Sequence, residues 1–348
     1  MRLARAVVAA VSAAVAGAGC AGAAHPAPHA SSHGSPQPTQ VTIAQARRVI
    51  TAFLPRYKPE LPLSYSPALA RSLTTGAELQ AQLFFHGRSG PSMTRLRGET
   101  YLVPHLAEYP RWFVAAIAVR TGPSPGYAVD YFFVMVQAAA SAPWKAAMAP
   151  YLYDPGWRLL HYLGRVVARD AQGYAAVPSA GQDLAVAPSA MPAAYASYLN
   201  TRRSPPDTAF ARGFDTTGYI RLNRRTAHGA GRYGWRFTDH QAAASLPVYA
   251  LALKPSGAAL FFATTDTSSW AATSSAAALP ARPSRTEANY VPPPQLFRDR
   301  VQFGAVRAGT RFISTAVDQV LAIVPPAGPY RIYVPLNSGA ATSVARAH

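Results

Sequence analysis

Gly122-Pro123-Ser124-Pro125-Gly126 carries the G-x-S-x-G spacing of a nucleophile elbow. That chemistry needs the serine on a strained strand-to-helix turn, with its hydroxyl exposed above a sheet. Here a strand-like segment follows instead of a helix, and prolines flank the serine, so the five residues read as a hairpin loop. Asp130 is the better candidate for acid–base work. On an extended segment it shares a face with Ala128, Phe132, Val134 and Val136. A carboxylate on an apolar face has a raised pKa and suits a general base; the alternative is that Asp130 pairs with a strand-end arginine such as Arg120. His105, His161 and the adjacent Asp239-His240 form no dyad, because neighbours on a strand point to opposite sides. Arg221, Arg224, Arg225, Arg232 and Arg236 interleave with Tyr219, Tyr233, Trp235 and Phe237. Guanidinium groups among aromatic rings suit phosphate and other anions; a solvated loop of a GC-rich, arginine-using genome has the same composition. No S-x-x-K, H-E-x-x-H, Walker or dinucleotide motif is found. No metal site and no cofactor are therefore expected. The expectation is a non-catalytic binding or scaffold protein, with a small-molecule enzyme using Asp130 in a cone-shaped pocket as the alternative.

The single cysteine, Cys20, stands at the end of a different kind of segment. Arg2 and Arg5 open the chain, an Ala/Val run follows, and Ala16-Gly17-Ala18-Gly19 leads into Cys20. A charged start, a short apolar core and a small-residue cleavage site make a secretory signal. With cysteine directly after the cleavage point, residues 1–20 resemble a bacterial lipoprotein signal, which implies lipidation, including palmitate, at Cys20. The run is shorter than the roughly 20 apolar residues that span a bilayer. The expected location is the extracytoplasmic face of the cell membrane; if Cys20 is not lipidated, the protein is secreted. Residues 21–40 read as a disordered spacer. His25, His29 and His33 recur every four residues there, but Pro26, Pro28, Pro36 and Pro38 oppose the helix that would align them.

Of the 348 residues 14% are charged, against about 25% in ordinary domains, and the balance is one-sided: 33 basic, 15 acidic, a net charge of +18. Loss of Arg2 and Arg5 with the signal leaves 31 basic and 15 acidic residues, or +16. A surface this positive is drawn to anionic phospholipid or anionic wall polymer; no nucleic-acid motif is present, and none is expected as a partner.

These residues need elements to hold them. Thr42 and Gln45 form a capping-box pair ahead of Ile43, Ala46, Ile50 and Phe53 on one helical face. Residues 67–85 read as one further helix. Residues 111–121, 127–138 and 144–148 read as strands, and 166–168 and 174–177 as short strands around a turn. Residues 181–188 read as a linker. The order then recurs: a helix over 192–199, strands over 248–254, 258–264, 310–324 and 330–334, and a long Ala/Ser/Pro loop over 271–294. Helices followed by antiparallel strands, twice, predict an α+β protein of two tandem domains. Each has N-terminal helices packed on a curved antiparallel sheet. The expected boundaries are 41–180 and 189–335, with 336–348 a disordered tail.

This order resembles the nuclear transport factor 2-like architecture in each half. The chain also resembles an uncharacterised family of actinobacterial secreted lipoproteins, a domain of unknown function. The resemblance is carried by Trp144-Lys145-Ala146-Ala147, residues 170–177, residues 195–199, Val248-Tyr249-Ala250-Leu251 and the Ser/Pro gap before Arg300. It covers roughly 41 to 335 and implies no catalytic residues.

Overall fold

The computed structural model describes residues 40–57, 66–84, 95–120, 128–153, 158–201, 209–232, 234–274 and 309–347. Cys20, the spacer histidines and the G-x-S-x-G loop lie outside the described residues, as do Tyr233 and most of the loop over 271–294.

Local chemistry sets the first helices. Thr42 caps α1 (Ile43–Phe53) by accepting the Gln45 N–H at 3.0 Å, and Ala46, Ile50 and Phe53 are buried. Ser66 caps α2 (Pro67–Leu73) in the same way from Leu69, with Pro67 in the first turn. The single helix expected over 67–85 is broken in two, because backbone pairing competes with it. Thr74 bridges Ala146, the Thr75 N–H donates to the Ala146 carbonyl at 2.8 Å, and Gly76 turns with φ of +55° against Ala147 before α3 (Gly76–Phe84) begins.

The first sheet runs β1 (Arg95–Leu102), β2 (Arg111–Arg120), β3 (Ala128–Gln137) and β4 (Lys145–Met148), with β5 (Tyr151–Tyr153) also on β3. The second runs β10 (Tyr333–Ala347), β9 (Arg311–Val324), β8 (Ala258–Ala272) and β6 (Trp235–Ala243), with β7 (Tyr249–Ala252) on β8. Described pairings within both sheets are antiparallel. The fold is thus mixed helix and antiparallel sheet, with six α-helices among the described residues. The two halves do not repeat strand for strand. The short strands follow the long ones in the first half and precede β8 in the second.

Four layers result. Phe113, Ala115, Ile117, Tyr131 and Phe133 face α1 and α2 from one side of the first sheet. Val114, Ala116, Phe132 and Val134, from the other side, share a core with Phe261, Val317 and Leu321 of the second sheet. Into the same core go Ala77 of α3 and Leu159, Leu160 and Leu163 of α4 (Arg158–Val166). The opposite face of the second sheet buries Leu260, Phe262 and Val320 against α5 (Met191–Leu199), with Tyr195, Leu199 and Phe210. Central strands covered on both faces explain the continuous apolar runs, and each buried phenylalanine adds about 2 to 3 kcal/mol.

Several expectations give way to this packing. Residues 166–168 end a helix, since Leu159, Leu160 and Leu163 bury one amphipathic face, and only isolated bridges tie Val167 to Leu253 and Ala175 to Pro104 and Arg169. The linker over 181–188 is itself held: Leu184 bridges Pro326 and the Ala185 N–H donates to the Pro325 carbonyl. Residues 336–347, expected as a disordered tail, continue β10, because β9 extends beside them and supplies partners from Leu321 back to Arg311.

Candidate functional site

On the helix-covered face of the second sheet, the register sets Asp239 opposite Ser268, Gln241 opposite Asp266, and Thr264 between Ala243 and Asp318. Asp318 lies in turn opposite Gly339 of β10. Because side chains alternate, β6, β8 and β9 thereby bring Asp239, Asp266 and Asp318 to one face. A π-helical turn, Phe214–Gly218, leads into α6 (Tyr219–Arg232), which crosses above them. The Tyr219 hydroxyl lies 3.3 Å from Asp239 Oδ2 and 3.2 Å from Asp266 Oδ2. Asn223 Nδ2 donates to Asp239 Oδ2 at 2.5 Å, and Ser268 Oγ to Asp239 Oδ1 at 3.0 Å. Gln241 Nε2 donates to the Tyr219 oxygen at 2.7 Å and to Asp318 Oδ2 at 3.2 Å. Beyond Ser268 the same face turns aromatic, with Phe237 against Trp270 at 4.8 Å and Trp235 against Phe312 at 5.7 Å.

Asp318 is buried, and Asp239 and Asp266 are half-buried. Among the described residues, none of the three carboxylates is paired with lysine, arginine or histidine. Burial lifts Asp318 to about 7, opposed by the Gln241 hydrogen bond and reinforced by Asp239. Burial, then the hydrogen bond and charge of Asp239, push Asp266 well above the carboxylate range. Burial and the surrounding aspartates likewise hold Tyr219 protonated. Asp215, in the π-helical turn, is pushed up to about 7 by burial. Polar atoms are also left over. Among the described residues, Gln241 Oε1, Thr264 Oγ1, Asn337 Oδ1 and Trp270 Nε1 are buried without a hydrogen-bond partner. No group of three or more His, Cys, Asp or Glu among the described residues is placed as metal ligands would be.

The outer side of α6 has the opposite chemistry. Phe214, Gly218, Tyr219, Arg221, Leu222, Arg224 and Arg225 line an open groove of about 740 Å³. Phe214 is 79% exposed beside these arginines. The structure therefore brings Arg221, Arg224 and Arg225 together on the helix, where a loop was the alternative. Arg232 is exposed at the helix end, and Arg236 alternates with buried Trp235 and Phe237 on β6, which turns it to the face away from α6. Asp130 is 0% exposed, opposite Ala118 and Leu152 on the side of β3 that faces the second sheet, so it lies in the core between the halves. The side chain of Arg120 lies outside the described part.

The aspartates of the cluster escape a search for motifs because they are far apart in sequence. Their one local signature is a period of two: Trp235, Phe237, Asp239 and Gln241 on β6, and Thr264, Asp266, Ser268 and Trp270 on β8. Among the described residues no helix is long and apolar enough to cross a membrane. No curated protein and no solved structure matches the chain. One family model does, over residues 39–332, and the chain accordingly belongs to the family of a domain of unknown function, DUF8094.

Proposed function

We propose that this chain is a lipid-anchored, extracytoplasmic binding protein of an actinobacterial cell envelope, whose α6 docks on the anionic phospholipid surface to which Cys20 tethers it. In this reading the two halves are tandem α+β units of the nuclear transport factor 2-like type, joined sheet to sheet. The observation that carries the docking is the juxtaposition of Arg221, Arg224 and Arg225 with the exposed ring of Phe214 in one groove. Guanidinium groups bind phosphate oxygens bidentately, and an adjacent aromatic ring enters the headgroup boundary. A tether holds the surface close, so weak individual contacts suffice at high local concentration. The net charge of +16 after loss of the signal supplies the longer-range attraction.

Co-sedimentation with phosphatidylglycerol vesicles tests this reading, with phosphatidylcholine vesicles and purified wall polymer as comparisons. The unlipidated Cys20→Ser chain should bind phosphatidylglycerol at 0.1 M salt, where the screening length is about 10 Å, and release at 1 M, where it is about 3 Å. Arg224→Glu with Arg225→Glu should weaken binding at least about thirtyfold, at roughly 1 kcal/mol for each of the two positive charges lost near the surface. The exposed pair Arg48 and Arg71, reversed together, should cost much less. Equal losses from both pairs would show diffuse attraction without a site, and preference for wall polymer would replace the lipid as partner. In cells, Cys20→Ser should move the protein from the membrane to the medium; an unchanged membrane fraction would refute the anchor.

A further inference from the structure

The acidic cluster beneath α6 asks for a ligand of its own. Three carboxylates from three neighbouring strands meet there without a counter-cation among the described residues, in a chain with more than twice as many basic as acidic residues. The arginines of the covering helix are exposed on its outer side. Four donors of α6 and the strands are already spent on the cluster: Tyr219 Oη, Asn223 Nδ2, Ser268 Oγ and Gln241 Nε2. Unmade beside the aspartates are the Gln241 amide oxygen and the Thr264 hydroxyl. Gln241 is 1% exposed and Thr264 0% exposed, and the free Oε1 of the one and Oγ1 of the other lie on the same face as the aspartates. A buried acceptor left unmade costs free energy that a donor-bearing guest recovers.

We infer that this cluster seats the ammonium head of a small aliphatic primary amine, with its carbon stem toward the Trp235, Phe237, Trp270 and Phe312 end. An –NH₃⁺ group brings one positive charge and three donors with no acceptor, which is the complement of aspartate oxygens plus an orphan amide oxygen. An aromatic wall accommodates both a methylene stem and the field of a nearby cation. Metal chemistry fits less well, since the carboxylates are bridged by Tyr219 and Gln241 instead of converging as ligands. Tyr219 offers a way in, because its residue lines the outer groove while its hydroxyl reaches the aspartates. The seat adjoins the lipid-docking groove at Tyr219, but neither assignment depends on the other.

Titration calorimetry of the full chain, prepared in an amine-free buffer, tests the seat with n-butylammonium as the probe and neutral n-butanol as its isostere. Tryptophan fluorescence reports on Trp235 and Trp270 in parallel. Saturable binding of butylammonium to one site per chain is expected, with butanol binding at least about tenfold more weakly, as loss of hydrogen bonds to a charged group requires. Asp266→Asn and Gln241→Leu should each weaken the amine about tenfold or more while vesicle binding is retained. Equal affinity for the alcohol, or no binding of butylammonium up to about 10 mM, would overturn the assignment and leave the orphan acceptors to buried water. If either variant fails to fold, the amine-to-alcohol ratio in the unaltered chain still decides.

Discussion

Two regions of this molecule bury carboxylates, and they do so in opposite ways. Glu78 of α3 sits between the halves with both oxygens answered: the Tyr57 hydroxyl and Gln82 Nε2 donate to Oε1 at 2.6 Å each, and Gln319 Nε2 to Oε2 at 2.9 Å. Gln319 in turn accepts the Ala149 N–H at 2.6 Å, so one chain of hydrogen bonds ties α3, β9 and the end of β4. Beneath α6, on the other face of the same sheet, three carboxylates are held by donors that leave acceptors unmade. Adjacent residues of one strand, Asp318 and Gln319, point into the two sites. A closed, satisfied network fixes the seam between two sheets; an unsatisfied one leaves buried polar atoms without partners.

The largest effect should come from breaking the closed site. Glu78→Ala removes the acceptor for three donors at once and leaves a cavity in the seam. A loss of about 3 kcal/mol in unfolding free energy is expected, read from urea denaturation. A loss below about 1 kcal/mol would show that water replaces the carboxylate and that the seam does not depend on it.

A smaller and opposite effect should follow in the open site. Asp318 titrates near 7 when folded and near 3.9 when unfolded. Since the folded pKa is the higher one, its contribution to stability is complete below about pH 4 and declines as pH rises through about 7. Asp318→Asn should therefore raise the melting temperature at pH 8, by about 5 °C, and change little at pH 4. A variant less stable than the parent at pH 8 would mean that the carboxylate is favourably solvated or paired when charged.

The smallest change sharpens the contrast within one strand pair. A methyl group at Gly339 would collide with Asp318 Oδ1. Gly339→Ala should cost about 1 kcal/mol through local overpacking, while the Glu78 network on the opposite face is untouched. Butylammonium affinity should drop about fivefold, and the stability losses of Gly339→Ala and Glu78→Ala should add in the double variant; non-additive losses would show that the two faces of β9 are mechanically coupled.

Much of the fold is legible before any packing is considered. Strands β2, β3, β4, β7 and β9 lie within a residue or two of the segments read from their aromatic and β-branched runs, and α1 and α5 follow their caps, prolines and apolar spacing. What escapes reading has weaker local patterns. Strand β1 carries Arg95, Arg97, Gly98 and Glu99, and β6 carries Arg236, Asp239 and His240, because each has a polar, exposed side. Helix α6 is so rich in arginine that only Ile220 and Ala230 are buried along it. The cluster of arginines was visible, but the groove that unites Arg221, Arg224 and Arg225 and parts them from Arg236 was not.

The sequence by itself determined which segments extend and which coil, since capping, proline placement and two- or 3.6-residue periodicity act within a dozen residues. It also determined the excess of positive charge. Only the tertiary structure decided where the rare acids meet. Asp239, Asp266 and Asp318 come within reach of one tyrosine and one glutamine because lateral strand pairing sets their register. Which face of each sheet meets the other half decided that Asp130 lies in the seam while Asp318 lies under a helix. Those outcomes depend on contacts between residues tens to hundreds of positions apart, and burial on both faces of β3 and of β9 removes the polar alternation that would have marked Asp130 and Asp318.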